Sequence, residues 1–411
     1  MATVVDCGAY SFKAGHCMDS KPGIVKECPF GFQECLRDAR FWHSLIGQRS
    51  QDLIISVPVW TCRKTKESIC QLLFEDFAAK SICMVSSAFL VGLAARSSTA
   101  LVVDIGATGT TVTPVEDGYP LTECIVHGSL GGNALDVAMF QLLQDAGAAL
   151  PDGLSGAEAG KIAKEQLAWV AQDFTLELQN LRRMDVPSQP PKPSMCDFVG
   201  TGGKRCVFQA SRGEGFKCAE CLFDPTVCRA PGTANTMPQT PQTLPEMVLA
   251  SLRLQSNINV RGQLLQNVIL AGGMSQLPGL QERLATEIRH CSRWVAPGQS
   301  QEIVKVCAPK PGSIQAWIGG SLLAQCEVIR DLVVSQEAYQ RSGPEMDLRL
   351  LLCSNKHATQ DCKLARPKKS TCQPGTFPLH LKAMVAKRWG IASLRPYPFQ
   401  SLKHGSQMPR A

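Results

Sequence analysis

The chain has 411 residues, of which 44% are hydrophobic and 19% are charged. This composition excludes a disordered or fibrous chain and allows two domains, each with its own core. The net charge of +7 is uneven, because residues 345–411 hold twelve Lys or Arg residues against three acids. We therefore expect the basic character to belong to the C-terminal segment.

The N-terminus lacks the basic and apolar regions of a secretion signal, and no stretch reaches eighteen consecutive apolar residues. We expect a protein that is neither secreted nor membrane-spanning. The nineteen cysteines are scattered through a chain with ample core-forming residues. This distribution favours reduced thiols in the cytosol or nucleus over a disulfide scaffold.

Two apolar segments end in the same pattern, Asp-x-Gly. The first ends in Asp6 and Gly8, and the second in Asp104 and Gly106. Each predicts a strand that delivers a carboxylate to a shared cleft. Each glycine then permits a tight hairpin whose backbone N–H groups can approach phosphate oxygens. A third glycine turn follows the apolar run that ends at Ala271.

Residues 64–79 and 161–178 carry apolar side chains at three-to-four spacing, which predicts two helices. Strands that alternate with helices indicate an α/β architecture. Residues 187–204 are rich in Pro, Ser and Gly, and prolines recur in residues 229–243, which predicts two loops. From residue 344 onward the periodicity fades, and we expect a poorly ordered tail.

Six motifs, read in order, resemble those of actin and the actin-related proteins over roughly residues 4–344. They are Val4-Val5-Asp6-Cys7-Gly8 with Lys13 and Gly15, Asp104-Ile105-Gly106 with Gly118 and Tyr119, Lys164-Glu165 with Asp173-Phe174, Phe216-Lys217-Cys218 with Pro225, Leu270-Ala271-Gly272-Gly273 with Pro278-Gly279, and Trp317-Ile318-Gly319-Gly320 with Ser342-Gly343-Pro344. Their closely similar spacing argues against a chance match, whereas a single glycine pair would mean little.

The resemblance implies an α/β, two-lobed fold of the actin, Hsp70 and hexokinase ATPase type, with a nucleotide cleft between the lobes. It implies a first lobe in residues 1–124 (subdomains 1 and 2), a second lobe in residues 125–310 (subdomains 3 and 4), a return to the first lobe in residues 311–344 and a basic tail in residues 345–411. Between Pro22 and Gln51 there is far less chain than actin uses for its small subdomain 2 and DNase-binding loop. That loop contacts the next subunit of an actin filament, so we expect a reduced subdomain 2 and no long homopolymer.

The resemblance also implies a site for ATP or ADP with Mg²⁺. Asp6 and Asp104 would hold the metal mainly through its waters, since Mg²⁺ dehydrates reluctantly. The residues implied for the phosphates are Gly8, Ala9, Tyr10, Lys13, Gly106, Ala107 and Thr108. Those implied for the adenosine are Gly132, Lys164, Glu165, Gly272, Gly273 and Met274.

The sequence departs from the actin pattern where actin positions the attacking water. Ser87 replaces a glutamine that helps to place this water, Ala107-Thr108 replaces an Asp-Gly pair, and Thr111 replaces a histidine. Loss of a positioned proton-handling group costs on the order of 10² to 10⁴ in rate. We therefore assign no catalytic residue and expect bound ATP to undergo little or no hydrolysis.

Other chemistry-bearing residues offer weaker alternatives. Cys206, Cys218, Cys221 and Cys228 include one C-x2-C pair and offer a zinc site, but the second pair is missing. His16, His43, His127 and His290 fall in no ligand spacing and are interpreted as structural. Basic clusters at residues 366–369 and 387–388 are compatible with nuclear targeting or an acidic partner.

Together these features favour a nucleotide-stabilised structural or scaffolding protein that acts as a subunit of a cytoskeletal or other multiprotein assembly. The expected partners are other actin-related proteins or actin-binding proteins, with no membrane and no specific nucleic-acid motif. The expected location is the cytoplasm and cytoskeleton, with the nucleus as the alternative. Two rival hypotheses stay open: an enzyme of the same fold, such as a slow ATPase or small-molecule kinase, and a nucleotide-free pseudo-actin.

Overall fold

The computed structural model describes residues 2–28, 32–47, 51–183, 195–200, 203, 205–210, 212–228, 242–297, 303–326 and 329–343. All of these residues lie in the first of the two units into which the chain divides, Met1–Ala358. The predicted tail and most of the predicted loop at residues 229–243 lie outside the described residues. Within the described part of the chain, no helix combines the length and the apolar character that a membrane span needs.

The first sheet takes five strands from the start of the chain and one from its later part. They are β1 (Ala2–Cys7), β2 (Ser11–His16), β3 (Ile24–Glu27), β4 (Asp52–Val57), β5 (Ser81–Ser86) and β14 (Val334–Ser335), in the order β14-β5-β4-β1-β2-β3. Strands β1, β4 and β5 are parallel, and the outer strands pair antiparallel to their neighbours. Strands β4 and β5 are buried along almost their whole length, as parallel strands covered on both faces should be.

The second sheet also combines neighbouring parallel strands with antiparallel ones. Its strands are β6 (Ala100–Ile105), β7 (Thr110–Glu116), β8 (Tyr119–Pro120), β9 (Val126–Gly128), β12 (Val268–Ala271) and β13 (Val306–Cys307). The order is β13-β12-β6-β7-β8, and β9 also pairs with β7. The chain therefore passes from the first sheet to the second between Ser86 and Ala100, upstream of the boundary at residue 124 that the resemblance implied.

Helices cover both sheets. They are α1 (Phe32–Arg37), α2 (Ala39–Ile46), α3 (Arg63–Gln71), α4 (Ser87–Ala94), α5 (Gly132–Asp145), α6 (Gly156–Leu167), α7 (Phe174–Arg183), α8 (Glu214–Glu220), α9 (Leu244–Leu254), α10 (Ile258–Leu265), α11 (Leu280–Val295), α12 (Gln315–Ala324), α13 (Ile329–Leu332) and α14 (Gln336–Ser342). Two separate apolar cores result, one around Phe12 and Leu53 and the other around Leu101 and Leu270. This is the predicted two-lobed α/β fold.

The short segment between β3 and β4 packs onto the first lobe. Phe41, Trp42 and Leu45 of α2 are buried in the first core. The ring of Phe12 on β2 meets Phe41 at 5.0 Å and Trp42 at 5.8 Å between centroids, both edge to face. The described part of this segment therefore completes the core of the first lobe, where the sequence predicted a reduced small subdomain.

The helix predicted at residues 161–178 is wrong as a single element, because it breaks between α6 and α7. Ala168 is extended, with a ψ of 134°. The N–H of Val170 donates to the carbonyl of Pro278 at 2.8 Å, and Arg283 donates to the carbonyl of Ala171 at 2.7 Å. The buried backbone is thus bonded to a distant loop and to α11, and helical hydrogen bonds are not needed to satisfy it.

The loop predicted at residues 187–204 is wrong over part of its length. Residues Met195–Val199 form β10, which pairs antiparallel with β11 (Arg205–Gln209) in a separate ribbon. Cys196 and Phe198 are fully buried, whereas Met195, Asp197 and Val199 are exposed. This alternation is the mark of a strand with one covered face.

The other predicted helix, at residues 64–79, begins at Arg63 and runs through a π-helical turn that ends at Asp76.

Candidate functional site

One cavity of about 310 Å³ opens between the two sheets. It lies where parallel strands of both sheets end, the usual place for a ligand in an α/β fold. Every site residue named from the sequence lines it: Asp6, Gly8, Ala9, Tyr10, Lys13, Ser87, Asp104, Gly106, Ala107, Thr108, Thr111, Gly132, Lys164, Glu165, Gly272, Gly273 and Met274. Residues separated by more than 250 positions are thus brought to one place.

The hairpin of β1 and β2 supplies a carboxylate and an ammonium group. Asp6 and Lys13 face each other in the register of the two strands, and their charged atoms lie 3.3 Å apart. Both side chains are about one tenth exposed. A Cβ on Gly8 would lie 2.8 Å from the carbonyl oxygen of Ser11 and 3.5 Å from Lys13 Nζ. Only glycine therefore allows the turn to close so tightly over the lysine.

The second sheet supplies Asp104 at the opposite side of the cavity. Asp104 is paired with Thr111 on β7 and with Ala271 on β12. Burial and the negative charge of Asp6 raise the pKa of Asp104 to about 6. Gly272 has a φ of +84°, and a Cβ there would lie 2.5 Å from Asp104 Oδ1. Two carboxylates that repel each other thus face one cleft.

The loop between β6 and β7 is fixed by the start of α5. The N–H of Gly132 donates to the carbonyl of Gly106 at 2.9 Å, and that of Asn133 donates to Ala107 at 2.8 Å. A Cβ on Gly131 would lie 2.5 Å from the backbone nitrogen of Gly109. The close approach of these two glycine-rich segments therefore holds the loop tip in one conformation.

Helix α6 positions the pair Lys164 and Glu165. Ser155 begins the helix with a reciprocal capping box to Glu158. Lys164 Nζ lies 2.5 Å from Asp136 Oδ1 and 3.4 Å from the carbonyl oxygen of Gly132, to which it donates. Asp136, which the sequence analysis missed, therefore anchors the lysine in the cavity wall.

Comparison with known proteins gives the family. The sequence model of the actin family matches residues 31–154 and 149–349, well over half of the chain. The chain belongs to the actin family. Membership of this family agrees with the two-lobed fold. It also agrees with the positions of Asp6 and Asp104, each on a strand that continues into a hairpin.

Three curated proteins are similar to this chain over more than 70% of its length. The SWI/SNF and RSC complexes subunit arp42 of Schizosaccharomyces pombe is 27% identical, over 72% of this chain and 76% of its own length. Actin-related protein 4 of Arabidopsis thaliana is 25% identical, over 79% of this chain and 76% of its own. Actin-like protein 9 of Homo sapiens is 29% identical, over 73% of this chain and 65% of its own.

The structure places one histidine, His127, where the sequence analysis did not expect it. Thr111 Oγ1 lies 2.9 Å from His127 Nδ1, and the His127 ring lies 5.7 Å from the ring of Trp60. Burial lowers the pKa of His127. His127 was interpreted as structural but lines the cavity. The pairing of β9 with β7 brings it there, and no sequence pattern signalled that pairing.

The cysteines do not form the alternative zinc site among the described residues. Cys218 is buried and its thiol donates to the carbonyl of Leu135 at 3.3 Å. Cys221 is disulfide-bonded, so the expectation of reduced thiols is wrong at this position. Fourteen other cysteines in the described part of the chain form no disulfide bond. Within the described residues, no group of three or more His, Cys, Asp or Glu side chains could hold a metal ion.

Proposed function

We propose that this chain binds ATP or ADP with Mg²⁺ in the cleft, hydrolyses it slowly or not at all, and serves as a structural subunit of a multiprotein complex. The observation that carries the proposal is the convergence of Asp6, Lys13 and Asp104 on one glycine-lined cavity. Because the ligand would contact both lobes, its binding would stabilise the folded state by mass action.

The residues of the cavity fit such a ligand. Two carboxylates and phosphate oxygens are the donors that Mg²⁺ prefers, and the metal would relieve the repulsion between Asp6 and Asp104. Lys13 would supply a positive charge to the phosphates. At Gly273 a Cβ would meet no atom within 4 Å, so the backbone there borders open space that a base or ribose can approach. Mg²⁺ supplies charge neutralisation when bound.

Slow turnover is supported by three side chains that line the cavity. Ser87 begins α4 and is too short to reach a water that a glutamine would hold. Thr111 carries a hydroxyl in place of an imidazole, and the nearby His127 ring is hydrogen-bonded to that hydroxyl at 2.9 Å. The side chain of Ala107 carries no polar group. We infer that the ligand acts as a structural cofactor and not as a timer.

The proposal of a complex subunit is supported by one relative in particular. The Schizosaccharomyces pombe protein arp42 is named as a subunit of the SWI/SNF and RSC complexes. By similarity we propose a nuclear complex with other actin-related subunits as the setting. The cytoplasmic and cytoskeletal location expected from the sequence finds no support in the names of these relatives.

Binding is tested directly with the purified chain. We expect Mg-ATP to bind and to raise the thermal midpoint of unfolding. The Lys13→Ala variant should bind about 10- to 100-fold more weakly, because it loses a charge-assisted contact. Lys80→Ala, which changes an exposed lysine outside the cavity, is the control. Isothermal titration calorimetry gives the affinities, and absence of binding to the unchanged protein would favour the nucleotide-free alternative.

Complex formation is tested by affinity purification of the tagged full chain from nuclear and cytoplasmic extracts, followed by mass spectrometry. We expect a stoichiometric set that includes another actin-related protein, recovered from the nuclear fraction. Recovery of filament-associated cytoskeletal proteins from the cytoplasm would contradict the proposed setting.

A further inference from the structure

Three side chains join the two lobes at the solvent side of the cavity. Tyr10 lies in the turn between β1 and β2, Glu27 ends β3, and Lys161 lies on α6 of the second lobe. None of the six motifs that carried the resemblance contains Glu27 or Lys161, and Tyr10 stands inside the first of them. We call these three residues the strap.

The strap is a continuous chain of hydrogen bonds. Lys161 Nζ donates to the hydroxyl of Tyr10, and this hydroxyl donates to Glu27 Oε1. Lys161 Nζ also lies 3.8 Å from Glu27 Oε1 and 4.5 Å from the centroid of the Tyr10 ring. The phenol hydroxyl thus lies between a cation on one side and an anion on the other. Both of its hydrogen bonds are therefore charge-assisted.

The ionisation of the strap is favourable at neutral pH. Burial and the hydrogen bond to Glu27 raise the pKa of Tyr10, so the phenol keeps the proton that it donates. The hydrogen bond to Tyr10 raises the pKa of Lys161, so the ammonium stays charged. Lys161 and the Tyr10 hydroxyl therefore both keep their protons and remain donors across the physiological range.

The strap lies at the rim and not in the depth of the cavity. Tyr10 is 40% exposed, and the Glu27 side chain is 69% exposed. Tyr10 and Lys161 nevertheless line the cavity, while Glu27 stands outside it. In the segment that follows β3, Phe41 and Trp42 pack into the first core.

We propose that the strap closes the cleft over a bound nucleotide and sets how long the nucleotide stays. This inference rests on the proposed function, because it concerns retention of the same ligand. The strap spans from lobe to lobe, so it must open before a ligand enters or leaves. A gate of this kind slows association and dissociation together, whereas a residue that only contacts the ligand changes mainly the dissociation rate.

The kinetic test uses a fluorescent ATP analogue with Mg²⁺ and stopped-flow mixing. Lys161→Ala should raise both the association and the dissociation rate constants by about 3- to 10-fold, the effect of one or two such hydrogen bonds. Tyr10→Phe removes both bonds of the hydroxyl and should give a similar rise. The double variant should add little to either single change, because both interrupt the same chain. Lys64→Ala, exposed on α3 outside the cavity, should match the unchanged protein.

A second measurement does not depend on the ligand. Hydrogen exchange of the nucleotide-free protein should be faster in Lys161→Ala than in the unchanged chain, in peptides that cover residues 8–13 and 156–167. If Lys161→Ala leaves these exchange rates and both rate constants unchanged, the strap is refuted. If it raises only the dissociation rate, Lys161 is a ligand contact and the gate is refuted. Failure of the unchanged protein to bind Mg-ATP refutes the proposed function instead, and the exchange result still decides whether the strap joins the lobes.

Discussion

Ionised Asp104 destabilises the metal-free protein but would be stabilised by a bound cation. In the folded protein, desolvation of its partly buried carboxyl group and the nearby negative charge of Asp6 raise its pKa to about 6 from the ordinary value of 3.8. Ionisation near pH 7 therefore costs the metal-free protein about 3 kcal/mol at most, at 1.36 kcal/mol per pH unit. A bound cation would remove this cost. The residue thus lowers the stability of the empty protein and favours the loaded one.

We predict that Asp104→Asn stabilises the metal-free protein and abolishes its response to Mg-ATP. Because the folded pKa is raised, the free energy of unfolding of the unchanged protein should fall as pH rises from about 4 to about 6. The variant should lack this fall and be more stable above pH 6. Urea unfolding in EDTA across this pH range tests it, with the exposed Asp76→Asn as the control. A less stable variant at pH 7.5 would contradict the prediction.

Ser87 offers a test of the proposed loss of hydrolysis. We predict that Ser87→Gln combined with Thr111→His raises the single-turnover rate of ATP hydrolysis by about 10- to 100-fold, because both side chains would again reach the water. Ser68→Gln, exposed on α3, should leave the rate as it is. Quenched-flow mixing with radiolabelled ATP measures these rates. A fast unchanged protein would show that Ser87 is not limiting.

At this scale the residues named from the sequence line one cavity, and for Asp6 and Asp104 the reason is physical. Asp6 and Asp104 each stand one residue before the end of a strand and two residues before a glycine, so local chain geometry alone directs them to the edge of a sheet. Asp136, His127 and Lys161 were not predicted as site residues. Their positions depend on helix packing and strand register between distant segments, which leave no local pattern.

The contact between α4 and α12 shows how an element is held in place. A Cβ on Gly319 would lie 1.9 Å from the carbonyl oxygen of Leu90 on α4, and one on Gly320 would lie 2.5 Å from Val4 Cγ1. The glycine pair therefore allows α12 to pack directly against α4 and β1. Helix α4 carries Ser87 into the cavity, so this contact also positions the site.

We predict that Gly319→Ala lowers the free energy of unfolding by about 1 to 3 kcal/mol, the usual cost of overpacking. The matched control is Gly23→Ala, since a Cβ there meets nothing within 4 Å. Urea denaturation of both variants measures the difference. Equal stabilities would show that α4 and α12 can separate without cost.

The predicted helices and loops were wrong where contacts with distant segments override the apolar periodicity of the local sequence. The apolar spacing of residues 161–178 is helical throughout, yet the backbone at Val170 bonds to Pro278 and the helix breaks. The ribbon strand at Met195–Val199 alternates strictly, but its proline-rich approach indicated a loop. In both cases the deciding partner lies elsewhere in the chain.

At the scale of the whole molecule, the segment between β3 and β4 bears on whether copies of the chain can form a filament. In actin the corresponding region is longer and contributes a loop to the next subunit of the filament, as the resemblance implies. Here α2 places Phe41, Trp42 and Leu45 in the first core, so these residues are already committed to the fold. These three side chains are therefore not available to contact a second copy of the chain.

We therefore predict that the chain does not form long filaments. Negative-stain electron microscopy at micromolar protein with Mg-ATP should show single particles or small assemblies, while skeletal-type actin under the same conditions forms filaments. Trp42→Ala should lower stability by about 3 to 5 kcal/mol through the cavity it leaves in the core, and should not induce polymerisation. Filaments of the unchanged protein would show that another surface provides the longitudinal contact, and the scaffold role would then have to include self-assembly.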